Sequence, residues 1–112
     1  MTKVTIQKTT HGEYLGFTCK GHAGYAQAVG TERDIVCAAV SVLVINTLNA
    51  METFTDARFH VDSDEKKGLI KCRFQEAPGE KAEVLMDAMV LGLTDISHEY
   101  GDSFCKLKVE EV

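Results

Sequence analysis

The chain begins with two short segments in which apolar and polar residues alternate. Val4 and Ile6 form the apolar side of the first segment, and Leu15, Phe17 and Cys19 form that of the second. A period of two residues is typical of a half-buried β-strand. With the turn residues between them, the segments predict two strands joined as a hairpin.

Two longer segments carry helical patterns. Ile35 to about Phe54 follows Asp34, a favoured N-cap residue, and is apolar almost all round in its first three turns. Such a helix is buried on most sides, by a sheet, a second helix or a partner subunit. A second helix is predicted to start at Pro78-Gly79, with apolar residues at helical spacing. Gly92 in that helix weakens it by about 1 kcal/mol relative to alanine, and we expect it to allow close packing.

Three further alternating segments complete the pattern. Residues 57–62 and 69–74 predict a second hairpin, and residues 104–109 predict a final strand. The order is therefore ββαββαβ, which indicates an α+β fold with a mostly antiparallel sheet and two helices packed on it. At 112 residues, the whole chain, 1–112, is expected to form a single domain.

Composition and charge narrow the class of protein. Apolar residues make up 45% of the chain and charged residues 26%, as in soluble globular proteins. The N-terminus lacks the apolar segment of a signal peptide, and the longest apolar run, Ile35 to Ile45, is too short to span a bilayer. We therefore expect a cytoplasmic protein with free thiols and no membrane partner. The net charge of −5 argues against direct nucleic acid binding.

The segment from Gly21 to Ser41 carries the candidate chemistry. If Asp34 caps the first helix, Cys37 is its third residue, where the helix dipole favours the thiolate. His22 follows the second strand and could fold back to form a Cys–His pair. The glycine-punctuated stretch up to Arg33 is longer than ordinary connections, as functional loops often are.

Other roles for these residues stay open at this stage. Free cysteine in an apolar helix is usually a packing residue. A carboxylate at Asp34 would disfavour a neighbouring thiolate unless it caps the helix or orients His22. Ser41, one turn after Cys37, could contact the dyad or substrate, or bond back to the Cys37 carbonyl. A redox sensor would need a resolving thiol, and Cys19 is the candidate that could approach Cys37 in space.

The remaining histidines and cysteines are interpreted as structural. His11, His60 and His98 are expected at the surface. The cysteines on apolar strand faces are expected to fill the core: Cys19, Cys72 and Cys105. No two cysteines have the C-x-x-C spacing, and the acidic run 62–67 lacks the glycine and terminal glutamate of an EF-hand. The sequence predicts neither a metal site nor a cofactor, and that run is interpreted as a hairpin turn.

Two segments together resemble the signature of the ribosomal-processing cysteine protease family, Prp. They are Gly21-His22-Ala23 and Asp34-Ile35-Val36-Cys37-Ala38-Ala39-Val40-Ser41. The order of strands and helices is also similar over essentially the whole chain. The resemblance implies a Cys–His dyad, with Cys37 as nucleophile and His22 as general base.

The resemblance also implies a substrate, a homodimer and a gating loop. The substrate would be ribosomal protein twenty-seven of the large subunit, cut within its N-terminal extension after a bulky apolar residue. The loop that covers the site would contain Gly21, Gly24 and Gly30, with Asp34 and Ser41 as supporting residues. An acidic enzyme would suit such a basic substrate. The alternative is a non-enzymatic ribosome-associated binding module in which Cys37 is a core residue.

Overall fold

The strands and helices follow the predicted order closely. In the computed structural model, which describes residues 1–21 and 35–112, five strands and two helices are present. Their bounds are β1 Thr2–Lys8, β2 Tyr14–Lys20, α1 Ile35–Phe54, β3 Phe59–Asp64, β4 Leu69–Phe74, α2 Glu80–Tyr100 and β5 Cys105–Glu111. The strand β3 begins two residues later than residue 57, where the alternation starts.

The strands form one mixed sheet in the order β3-β4-β2-β1-β5. The pairs β1–β2, β2–β4 and β3–β4 are antiparallel, whereas β1 and β5 are parallel over the whole of Thr2–Lys8. The predicted α+β fold with a mostly antiparallel sheet is confirmed. The central strands are β4, β2 and β1, and the edges are β3 and β5.

The core lies between one face of this sheet and the two helices. Its largest fully buried side chains come from every layer: Val4, Ile6, Phe17, Val36, Val40, Val44, Met86, Met89 and Leu93. The residues that alternate with them on the strands form the opposite face, which is largely polar and exposed. This face is called the open face below.

The helix α1 has enough length and apolar composition to cross a membrane, a property that core helices of soluble proteins share. Its residues Val36, Val40 and Val44 recur every four positions and are buried in the core. Because one side of α1 packs on the sheet and α2, we describe it as a core helix.

The hairpin β1–β2 departs from the predicted pattern at Leu15. Gln7 pairs with Gly16 and Lys8 pairs with Tyr14, so Leu15 is an extra residue in the register. Such a bulge moves the residues beyond it to the other side of the strand. Leu15 is consequently 38% exposed, while Tyr14 is 4% exposed and faces the core. The expectation that Leu15 belongs to the core face was wrong.

The inward turn of Tyr14 connects the sheet to α2. Its hydroxyl donates a hydrogen bond to the carboxylate of Asp87, and the Lys8 ammonium lies 4.5 Å from its ring centroid. Burial, together with this hydrogen bond and the carboxylate charge, raises the pKa of Tyr14 well above its usual value. Tyr14 therefore stays neutral and donates.

Gly92 brings the two helices close together, as the sequence predicts. A Cβ atom at this position would lie 2.6 Å from a terminal methyl carbon of Leu43 on α1. Any larger residue would have to displace that side chain. The cost of glycine to the helix is thus offset by closer packing of α1 on α2.

Candidate active site

A cleft of about 410 Å³ opens between α1 and the β3–β4 hairpin. Most of its wall is apolar, and hydroxyl, thiol and carboxylate groups stand at a few positions, the usual composition of a small ligand site. From α1 it is lined by Cys37, Val40, Ser41, Ile45 and Leu48; from the sheet and hairpin by Thr2, Cys19, Gly21, Val61, Ser63, Asp64, Glu65, Gly68, Leu69 and Ile70.

Cys37 lies in the first turn of α1, as the sequence predicts. It is the third residue of the helix, it is half-buried, and it lines the cleft. The first N–H groups of a helix have no partner within the helix and carry its positive end. Ser41 lines the same cleft one turn further along. The geometry gives Cys37 what a nucleophile needs, namely access from a cleft and a favourable field for negative charge.

The end of β2 reaches the same cleft. Gly21 lines it, and its backbone N–H donates a hydrogen bond of 3.2 Å to the carbonyl of Gly68 in the β3–β4 turn. Gly21 directly precedes His22 in the chain. The other predicted site residues lie outside the described ranges: His22, Gly24, Gly30 and Asp34.

Thr2 lines the cleft and was not singled out by the sequence. Its side chain is 2% exposed, and its hydroxyl has no hydrogen-bond partner among residues 1–21 and 35–112, although its backbone N–H donates to the carbonyl of Phe104. A threonine in an alternating strand gives no local signal for this. The pairing of β1 with β2 brings it to the cleft, beside Cys19 and Gly21.

The acidic run 62–67 spans the end of β3 and the start of the predicted hairpin turn, and it contributes to the cleft. The Asp64 carboxylate accepts hydrogen bonds from the backbone N–H groups of Lys66 and Lys67, at 3.1 and 3.3 Å. Asp64 and Glu65 stand at the rim beside the apolar wall. The sequence identified the turn, but its place next to Cys37 depends on the strand order.

The three cysteines other than Cys37 are buried, as predicted. Burial raises the pKa of Cys19 to about 11 and that of Cys72 to about 12, and it also raises the pKa of Cys105. Cys19 does line the cleft with Cys37, but a thiol held neutral is a poor resolving group for a redox sensor.

The described histidines are exposed, as predicted. His11 lies in the turn before β2, and His98 in the last turn of α2. His60 on β3 lies 3.1 Å from the Asp62 carboxylate. Within the described part of the chain, no cluster of three or more histidine, cysteine, aspartate or glutamate side chains could hold a metal ion.

Comparison with known proteins gives the class of the chain. The family model described as cysteine protease Prp matches residues 1–105. The chain belongs to the Prp family. The match decides in favour of an enzyme over a binding module.

The matching relatives cover almost the whole chain. It is 28% identical over 107 residues to the ribosomal processing cysteine protease Prp of Bacillus subtilis (strain 168), covering 92% of this chain and 93% of that protein. Prp of Staphylococcus aureus with a covalently linked product peptide superposes with a TM-score of 0.88 at 24% identity, over 98% of this chain and 100% of that one. The same enzyme with a substrate peptide gives 0.86 at the same identity and coverage. These structures confirm the fold.

Proposed function

We propose that this protease removes the N-terminal extension of ribosomal protein twenty-seven of the large subunit, using Cys37 as nucleophile and His22 as base. The observation that carries the proposal is the position of Cys37, half-buried at the start of α1 and lining the cleft. Support for the substrate comes from the relatives, which are ribosomal processing proteases. One sheet built from all five described strands supports the proposal of one protease domain over 1–112.

The reaction is acyl transfer in two steps. The Cys37 thiolate attacks the scissile carbonyl, and backbone N–H groups at the start of α1 accommodate the oxyanion that develops. The C–N bond breaks as His22 gives a proton to the leaving amine, which leaves a thioester on Cys37. Water then attacks the thioester while His22 accepts its proton, and the C–S bond breaks to release the carboxylic acid and restore the Cys37 thiolate beside a protonated His22.

The place of Gly21 supports the pairing of His22 with Cys37. Gly21 lines the cleft and is fixed to the β3–β4 turn through Gly68. Its neighbour in the sequence is His22. We assign the gating of bound peptide to the segment that Gly21 begins and that includes Gly24 and Gly30. Asp34 and Ser41 are assigned supporting roles.

The test of the dyad is cleavage of the extended ribosomal protein, read by mass. Cys37→Ala should abolish cleavage while the protein stays folded, and His22→Ala should do the same. Cys72→Ala is the matched control, because Cys72 is buried away from the cleft and should leave cleavage intact. Near-wild-type cleavage by Cys37→Ala would refute the assignment.

Selective alkylation provides a second readout. Cys37 should react faster than the three buried thiols, and His22→Ala should slow this reaction near neutral pH. Equal labelling of all four cysteines would mean that Cys37 is not activated.

The cleft suits a substrate that is apolar at the cut and basic beside it. Val40, Leu48 and Ile70 line the wall, while Asp64 and Glu65 form an acidic rim. A bulky apolar residue before the cut would fill the wall, and lysines of a ribosomal protein would meet the rim. Substrate affinity should therefore fall with added salt, and affinity insensitive to salt would contradict this part of the proposal.

We also propose that the chain works in the cytoplasm as a homodimer. On the helical side, Val42 is 69% exposed and Leu91 is 65% exposed, and a shallow groove between α1 and α2 lies beside them. Burial of this apolar surface in a second copy would remove it from water. Sedimentation should show a dimer that Val42→Asp/Leu91→Asp dissociates, and a concentration-independent monomer of the unaltered chain would contradict it.

A further inference from the structure

The open face of the sheet gathers a large share of the positive charge of an acidic protein. Six of the twelve lysines and arginines of the chain point from it, and all six are exposed: Lys3, Lys20, Lys71, Arg73, Lys106 and Lys108. Three of the seventeen acidic residues share the face: Asp62, Asp64 and Glu110. The face therefore has a formal charge of +3, and the rest of the chain has −8.

The register of the strands sets like charges directly opposite one another. Lys3 on β1 pairs with Lys20 on β2 and with Lys106 on β5, which makes a row of three ammonium groups across three strands. Like charges directly opposite on neighbouring strands destabilise a sheet. Lysine on an edge strand such as β5 protects against aggregation, but β1 and β2 are central and have no edge to protect.

A shallow groove lies within this face. It is lined by Lys3, Thr5, Thr18 and Lys20, together with Met1 and Gly21, and it is open to solvent. Lys71 stands next to Thr18, and Lys108 next to Thr5, so cations flank the two hydroxyls on both sides. Ammonium and hydroxyl groups in this arrangement are the donors that contact phosphate oxygens.

The size and composition of the face favour a duplex over a single strand. From β4 to β5 it crosses three strand spacings, about 14 Å. None of the five described strands directs a Phe or Tyr side chain to it, because their aromatic residues lie on the core side. Single strands are usually held by stacking on aromatic rings, whereas duplex RNA is held through phosphate and 2′-hydroxyl contacts.

We propose that the open face is a docking surface for the phosphate backbone of double-helical RNA, contacted without reading sequence. The expectation of no nucleic acid binding rests on the net charge of the whole chain, which averages over two oppositely charged sides. The groove and the cleft meet at Gly21, which lines both, but Cys37 lines only the cleft and the lysines of the groove line only the open face.

The test is fluorescence anisotropy with a labelled RNA duplex of about 20 base pairs, longer than the roughly 16 that a double-stranded RNA-binding domain spans. Contacts to three to five phosphates would weaken binding by about 40-fold to about 500-fold between about 50 and about 200 mM salt. The triple variant Lys3→Gln/Lys20→Gln/Lys106→Gln should bind far more weakly. A plot of log affinity against log salt concentration should also be shallower, by about one unit of slope for each phosphate that the variant no longer touches.

The matched control removes the same charge elsewhere. Lys66→Gln/Lys67→Gln/Lys81→Gln alters exposed lysines in the hairpin turn and on α2, and it should keep its affinity for the duplex. Both triple variants should cleave a short peptide as the unaltered protein does, because a short peptide occupies only the cleft. Loss of peptide cleavage in the open-face variant alone would mean that the face belongs to the protease site.

Three results would overturn the proposal. One is no binding of the duplex by the unaltered protein at about 50 mM salt. Another is equal weakening by the two triple variants, which would make the effect one of net charge. The third is displacement of the duplex by poly-glutamate at equal charge concentration, or tighter binding of a DNA duplex of the same sequence, which would assign the face to an acidic protein or to DNA.

Discussion

Gly21 is the position where a single methyl group should damage catalysis and stability together. Its φ is +91°, a conformation that residues with a side chain rarely adopt. A Cβ atom there would lie 2.6 Å from the backbone carbonyl oxygen of Met1. We expect Gly21→Ala to lower the cleavage rate about 100-fold, because the backbone that leads into His22 must move.

The size of the effect follows from two costs. The left-handed conformation costs alanine about 1–2 kcal/mol. Ordinary van der Waals contact begins near 3.4 Å, so the main chain has to shift by about 0.8 Å to relieve the contact with Met1. Together we expect the free energy of unfolding to fall by about 2–3 kcal/mol. The shift also strains the hydrogen bond from Gly21 to Gly68 at the edge of the cleft.

Gly12→Ala is the matched control. Gly12 has a similar φ of +85°, but a Cβ atom there meets no described atom within 4 Å. Urea denaturation of the two variants separates the conformational cost from the contact, and kcat/KM with the extended ribosomal protein measures the effect on the site. If both variants lose the same stability and both keep full activity, Gly21 does not position His22, the proposed catalytic base.

The remaining predictions concern stability. Thr2→Val should raise the free energy of unfolding by about 1 kcal/mol in urea denaturation, because it removes a buried hydroxyl that has no partner among the described residues; a decrease would mean that the hydroxyl is hydrogen-bonded. The thiols of Cys19 and Cys72 have pKa values raised from 9.0 to about 11 and about 12, so the unfolded chain releases their protons first and stability falls as pH rises above about 9. Between about pH 8 and about pH 10 these two thiols should together lower the unfolding free energy by about 2.5 kcal/mol. The loss should shrink by that amount in Cys19→Ala/Cys72→Ala, and an unchanged pH dependence would contradict the raised pKa values. The change in unfolding free energy caused by Gly92→Ala should be more favourable by about 1 kcal/mol when Leu43→Ala is also present, because the methyl contact is then absent. A double-mutant cycle without coupling would contradict the close packing of the helices.

The elements were predictable because their patterns are local. The helix α1 begins at Ile35 and ends at Phe54, as the helical pattern of that segment predicts. Leu15 was misplaced because a bulge is a property of a pair of strands, and the sequence of one strand looks regular through it. Val61 alternates like a core residue, yet it is 38% exposed because β3 lies at the edge of the sheet.

The candidate nucleophile was predictable for a similar reason. Cys37 is marked by its distance from the start of a helix, which depends on neighbouring residues alone. The other walls of the cleft, Thr2 from β1 and Asp64 from the β3–β4 hairpin, are distant in the sequence. Their proximity depends on the strand order β3-β4-β2-β1-β5, which periodicity does not specify.

The parallel pairing of β1 with β5 joins the two ends of the described chain in one sheet. Thr2 pairs with Cys105, and its backbone N–H donates a hydrogen bond to the carbonyl of Phe104. Contacts so distant in sequence close slowly, after the intervening chain is available. During synthesis, β1 can therefore pair with β2 early, but one of its two edges stays unpaired until β5 has left the ribosome.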